Sequence, residues 1–165
     1  MKNKILLTLA FAALFASASF GQLKYGGGLT LGTKVSLDDD LDEKMGFGLN
    51  IRADYAINDK FSIAPGFTFF FPSVPSGGDL TLWQLNADAH YNFAETGNMK
   101  IYGIGGLNYS YWKLEAESSN WSEDDSEIGV DLGVGANMGI LFGEVKYDTA
   151  FEQIGLTVGV LFGGN

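Results

Sequence analysis

From Leu23 to Phe162 apolar and polar residues alternate with period two, the spacing of strands that show different solvents on their two faces. The second segment sets Phe47, Leu49, Ile51, Ala53, Tyr55 and Ile57 against Gly46, Gly48, Asn50, Arg52, Asp54 and Ala56. The fourth sets Trp83, Leu85, Ala87, Ala89, Tyr91 and Phe93 against Gln84, Asn86, Asp88, His90 and Asn92. Ile128 to Ala136 and Ile154 to Phe162 repeat the rhythm as the sixth and eighth. Three segments fit with some noise. The first places Tyr25, Leu29, Leu31 and Val35 opposite Lys24, Thr30, Gly32 and Lys34. The third groups Phe61, Ile63, Phe67, Phe69 and Phe71, and the seventh opposes Val145, Tyr147 and Thr149 to Glu144, Lys146 and Asp148. The fifth, Met99 to Leu114, is ambiguous, and its register is expected to slip at a bulge near Gly105-Gly106. Pro65 is awkward in the third, because proline donates nothing to a ladder.

The connections alternate in length. Asn58-Asp59-Lys60, Glu95 to Asn98 and Asn137 to Ile140 read as short turns, and Phe151 to Gln153 as a tight hairpin. Ser36 to Met45, Pro72 to Asp79 and Glu115 to Glu127 read as long polar loops. Eight strands of about ten residues, with turns at one end and loops at the other, predict an all-β fold. It is an eight-stranded antiparallel up-and-down transmembrane β-barrel in one domain.

Alternation alone does not say which face is inside; a soluble carrier barrel has the same period in the opposite sense. Three features turn the apolar face outward. It carries no charge in the seven segments of clear register. The other face mixes glycine with both signs of charge: Lys24, Lys34, Arg52, Asp54, Asp88, His90, Asp131, Glu144, Lys146 and Asp148, a network fit to fill a narrow lumen. Aromatics gather near both strand ends, as at two water–lipid boundaries. Tyr25, Tyr55, Phe61, Tyr91, Phe93, Tyr102 and Phe162 lie toward the turns. Phe47, Phe69, Phe71, Trp83, Tyr109, Tyr111 and Trp112 lie toward the loops.

Composition narrows the picture. The 165 residues carry a formal charge of −10, which excludes a basic nucleic-acid surface. There is no cysteine, hence no disulfide framework. Lys2 and Lys4 precede an apolar run, Ile5 to Ala16, and Ser19-Phe20-Gly21 places small residues at the −3 and −1 sites before Gln22. Residues 1–21 therefore read as a secretory signal peptide and 22–165 as the barrel. No later apolar run reaches the length of a membrane helix.

With the signal, the segment Tyr102-Gly103-Ile104-Gly105-Gly106-Leu107-Asn108-Tyr109 and the closing strand Ile154 to Phe162, the chain resembles the small outer-membrane β-barrel family of the OmpA, opacity and attachment–invasion kind. The resemblance spans nearly the whole mature chain. It implies the Gram-negative outer membrane, with lipid, lipopolysaccharide and the outer-membrane assembly machinery as partners. Such barrels usually end on an aromatic read by that machinery; here Phe162 is followed by Gly163-Gly164-Asn165.

Candidate chemistry lies in the loops and on the lumen face. Asp38, Asp39, Asp40, Asp42 and Glu43 form one acidic run, and Glu123, Asp124 and Asp125 open another, next to Trp121. Asp38, Asp40 and Asp42 have the spacing of a calcium loop. However, Glu43 takes the required glycine position and Leu49 that of the bidentate glutamate. Solvated acidic loops, with no metal or other cofactor, are the expectation. His90, the single histidine, falls near Asp88. Lipid A deacylase barrels resemble this fold and use a His-x-Ser pair, but here His90-Tyr91-Asn92 lacks the serine. The leading expectation is a monomeric, non-enzymatic barrel whose loops meet an extracellular ligand or host surface. A narrow channel is the alternative, and a lipid-modifying enzyme ranks below it.

Overall fold

The structure, a computed structural model, describes residues 23–37, 43–73, 78–116 and 121–164. The signal segment and Asp38, Asp39, Asp40 and Asp42 lie outside these residues, as do the side chains of Glu43 and Trp121. Eight strands follow in order: β1 (Leu23–Leu37), β2 (Glu43–Ala56), β3 (Phe61–Phe71), β4 (Gly78–Thr96), β5 (Met99–Ala116), β6 (Trp121–Met138), β7 (Leu141–Asp148) and β8 (Gln153–Gly163). Each pairs antiparallel with its neighbours, and β8 returns to β1, closing the barrel. Closure pairs strand edges that would otherwise stay open within a membrane.

Alternation fixes the facing. Leu29, Ile51, Leu107, Leu132, Val134 and Val158 all stand outside, each more than half exposed. Asn50, Arg52, Asp88, His90, Asp131 and Glu144 are buried inside. Tyr25 lies opposite Phe162, and Phe61 meets Tyr91 at 4.9 Å between ring centres, at the short-turn end. Tyr55 and Phe93 point outward at that same end. At the other end Trp83 sits among Phe67, Tyr109 and Tyr111, with ring centres 5.3 to 6.0 Å apart. Phe69 and Phe71 contact one another there, and Phe47 lies opposite Phe71.

Several expectations need correction. Register shifts in β1 between Gly32 and Ser36, which turns Val35 inward, where it is 1% exposed. The same shift takes Lys34 out of the lumen; its ammonium lies 3.8 Å from Glu152 at the rim. In β5 the ladder runs unbroken through Gly105 and Gly106, and the irregularity lies in β4 between Asn92 and Ala94. The fifth segment looked noisy because Tyr102 and Ile104 face the lumen while Gly103 and Gly105 face out. Tyr102 thus leaves the aromatic ring it was grouped with, and is 1% exposed. Pro65 is accommodated where the β2–β3 ladder skips between Arg52–Gly66 and Tyr55–Ile63, with register kept on either side. Finally, β6 begins at Trp121, so Glu123, Asp124 and Asp125 are strand residues opposite Leu114, Lys113 and Trp112.

Candidate functional site: a filled lumen beneath an acidic hairpin

The lumen is layered. At the long-loop end Val35, Phe70 and Leu82 are buried together, with Leu80, Trp112 and Phe151 packed against them. These apolar side chains come from lumen-facing positions of β1, β3, β4 and β5 and from the β7–β8 turn. Phe151 is carried inward by that turn, whose Ala150 and Phe151 N–H groups donate to Asp148 Oδ1. Its ring stands edge-on to Phe70. Trp112 therefore belongs to this seal and not to the outer ring of aromatics.

Below the seal carboxylates outnumber cations. Asp54, Asp88, Asp131, Glu144 and Asp148 share the lumen with Arg52, Lys146 and His90. Side-chain amides make up the missing donors, since a buried carboxylate without donors is costly. Gln84 donates to Asp148 at 2.6 Å, Asn86 to Asp131 at 2.6 Å, and Asn108 to both at 2.9 and 2.8 Å. Lys146 Nζ reaches Asp88 at 2.7 Å and Asp131 at 3.3 Å. Thr30 with Thr157, and Asn50 with Thr68, tie the opposite wall.

The next layer centres on Glu144. Its Oε1 lies 2.8 Å from Arg52 Nη1 and accepts from the Tyr102 hydroxyl at 2.9 Å. The guanidinium covers the Phe142 ring at 4.6 Å. His90 stacks on Tyr102 and stands between two carboxylates, with Nδ1 3.4 Å from Asp54 and Nε2 3.7 Å from Glu144. Its close carboxylate neighbours are thus Asp54 and Glu144; Asp88, expected beside it, is turned to Lys146. Below this layer a vestibule of about 340 Å³ opens toward the short turns, lined by Lys24, Asp54, His90, Asn92 and Lys100 among others.

Eight of the ten predicted lumen residues are thus brought together: Arg52, Asp54, Asp88, His90, Asp131, Glu144, Lys146 and Asp148. Lys24 stands apart at the mouth, and Lys34 lies outside. Sequence reasoning missed Gln84, Asn86, Asn108 and Tyr102 as members. The first two share the parity of Asp88 and were open to being found; Asn108 and Tyr102 were hidden in the ambiguous fifth segment.

Above the apolar band the β5–β6 ladder continues to the Ala116–Trp121 pair. Glu123, Asp124, Asp125 and Glu127 are exposed on it. Lys113, opposite Asp124, donates to Glu115 at 2.6 Å, and that hydrogen bond to a carboxylate raises the pKa of the Lys113 ammonium above its ordinary value.

The sequence profile of the outer membrane protein beta-barrel domain matches residues 5–162. The chain belongs to this family. No curated protein sequence matches it. Among solved structures, the N-terminal β-barrel domain of Pseudomonas aeruginosa OprF superposes with a TM-score of 0.57 at 15% identity, covering 86% of this chain and 98% of that one. Neisserial surface protein A gives 0.55 at 21% identity, covering 84% and 94%. Ail, the attachment invasion locus protein of Yersinia pestis, gives 0.52 at 16%, covering 86% and 95%. At such identities the likeness concerns the fold. With the family, it places the chain in the bacterial outer membrane; barrels of this kind turn their short connections to the periplasm.

Proposed function

We propose that this barrel is a closed, non-enzymatic anchor that presents an acidic surface outside the cell for surface interaction, adhesion or envelope integrity. The observation that carries the reading is the exposed acidic β5–β6 hairpin standing above a lumen crossed by the apolar seal and, beneath it, the Arg52–Glu144 layer. The loop residues Asp38, Asp39, Asp40, Asp42 and Glu43, and Trp121, are assigned to the same surface from the sequence. A closed interior needs no pore, so the working chemistry lies at the outer rim. Ail has been crystallised with the heparin analogue sucrose octasulfate, a polyanion. The carboxylates of this hairpin repel polyanions, which favours a cationic partner instead. The test is adhesion of cells displaying the chain, or a variant with Glu123→Gln, Asp124→Asn, Asp125→Asn and Glu127→Gln, to aminated and sulfated surfaces, together with detergent sensitivity. Weaker adhesion to the aminated surface, or greater detergent sensitivity, is expected for the variant. Unchanged behaviour in both assays overturns the reading.

One observation favours the narrow-channel alternative. Two hollows, of about 30 and 340 Å³, are separated by little more than the Arg52–Glu144 layer. Planar-bilayer conductance of the refolded protein distinguishes the two, and a silent membrane is expected. The same reading includes export by residues 1–21 with cleavage after Gly21, which N-terminal sequencing of the mature protein checks. It also includes contact with lipopolysaccharide, insertion by the assembly machinery and a monomeric state.

A further inference from the structure

The wall of the barrel is notched on its outer side. β7 pairs with β6 only over Asp131–Met138, and β8 pairs with β1 only over Lys24–Gly32. Both neighbours continue past these limits, β6 up to Trp121 and β1 up to Leu37. Among the described residues the upper half of β6 therefore has β5 on one side and no strand on the other.

Val130 fixes the phase of that edge. Its N–H donates to Thr149 Oγ1 at 2.7 Å, and its C=O accepts from the Thr149 N–H at 3.1 Å. In a strand both backbone groups of a residue point the same way and alternate along the chain. Ile128, Ser126, Asp124 and Ser122 thus turn their N–H and C=O groups into the notch. The Ser126 N–H is taken by the Asp125 carboxylate at 2.7 Å. No described residue bonds the other edge-facing groups.

Such a row is a template for an added strand. Side chains decide which strand. Glu123, Asp125 and Glu127 share one face at strand spacing, while Ser122, Asp124 and Ser126 share the other. A second copy of this hairpin would set carboxylate against carboxylate, which disfavours self-pairing. A segment with lysine or arginine at alternate positions sets three cations against Glu123, Asp125 and Glu127, with small neutral residues suited to the serine face.

We propose that the free edge of β6, Ser122–Ile128, binds an extended segment of a partner protein by strand addition, and that alternating cationic residues select that segment. The inference rests on the surface-interaction reading and narrows it to one edge and one class of partner.

The test uses the full refolded barrel in lipid nanodiscs and a labelled seven-residue peptide alternating lysine with threonine. A second peptide carries N-methyl groups on the amides of one edge, which keeps its charge and removes its ladder donors. The first peptide is expected to bind, and the second to bind at least about tenfold more weakly. Asp124→Pro removes a donor from the free edge and none from the β5 ladder; Asp124→Asn is its charge control. The proline variant is expected to lose about tenfold beyond the asparagine variant, with an unchanged heat-shifted gel band. Equal binding of both peptides, or equal affinity of both variants, overturns strand addition while leaving an acidic interaction surface in place. No binding by either peptide, in a protein whose cells still adhere through the hairpin, overturns the inference alone.

Discussion

At the residue scale, Arg52 and Glu144 are the pair on which the lumen turns. Both side chains are nearly inaccessible, and each is the other's principal charge partner. Removing one leaves the other buried without its partner, which costs more than the pair is worth. Arg52→Ala is expected to lower stability by about 3–5 kcal/mol, read from urea unfolding in lipid vesicles. The double substitution Arg52→Met with Glu144→Gln is expected to recover most of that loss. Gly135 belongs to the same layer. A Cβ there would lie 2.6 Å from the Tyr102 ring, so the ring must move. Gly135→Val is expected to break the bond from Tyr102 to Glu144, visible as a less stable barrel whose added loss is small once Tyr102 is already Ala, which removes the ring. This requirement was not legible in the sequence, where Gly135 was one of many lumen-face glycines.

At the element scale, the outward face between the aromatic levels carries no charge among the described residues. Leu132 lies opposite Gly105 and Tyr147, midway along β6, and is 58% exposed. Leu132→Arg is expected to cost about 2–4 kcal/mol in lipid, as a charge at mid-bilayer does. Ser126→Arg, on the same strand but above the band, is expected to change stability by no more than about 0.5 kcal/mol. The contrast locates the upper membrane boundary on β6. The alternation that sets the facing was legible strand by strand. Strand lengths were not, because Ser122 to Glu127 is polar on both faces and reads as loop; only pairing with β5 makes it strand. The β1 shift was equally hidden, since Val35 kept its parity with Leu31 on paper while the extra residues turned it inward.

At the scale of the whole molecule, two barriers lie in series: the apolar seal at the outer mouth and the Arg52–Glu144 layer beneath it. The mature protein is expected to give no discrete openings in a planar bilayer. Phe70→Ala with Trp112→Ala removes part of the seal and leaves the charged layer, so the membrane is expected to stay silent. Openings are expected only when Arg52→Ala is added to those two. Conductance from the intact protein would move the function from the rim to the lumen.

By itself the sequence determined the class of the molecule. Period-two alternation, charge kept to one face and aromatics near the strand ends follow from the lipid solvent, and they are written residue by residue. The membership of the lumen followed largely from the same parity. Tertiary structure decided what depends on several strands at once: which carboxylate each donor reaches, which apolar residues close the outer mouth, and where β7 and β8 stop short of their neighbours. Those outcomes rest on register and shear across the barrel, and a change of two residues in one strand redirects them. That is why the free edge of β6, built from a segment that reads as an acidic loop, emerges only once the barrel is closed.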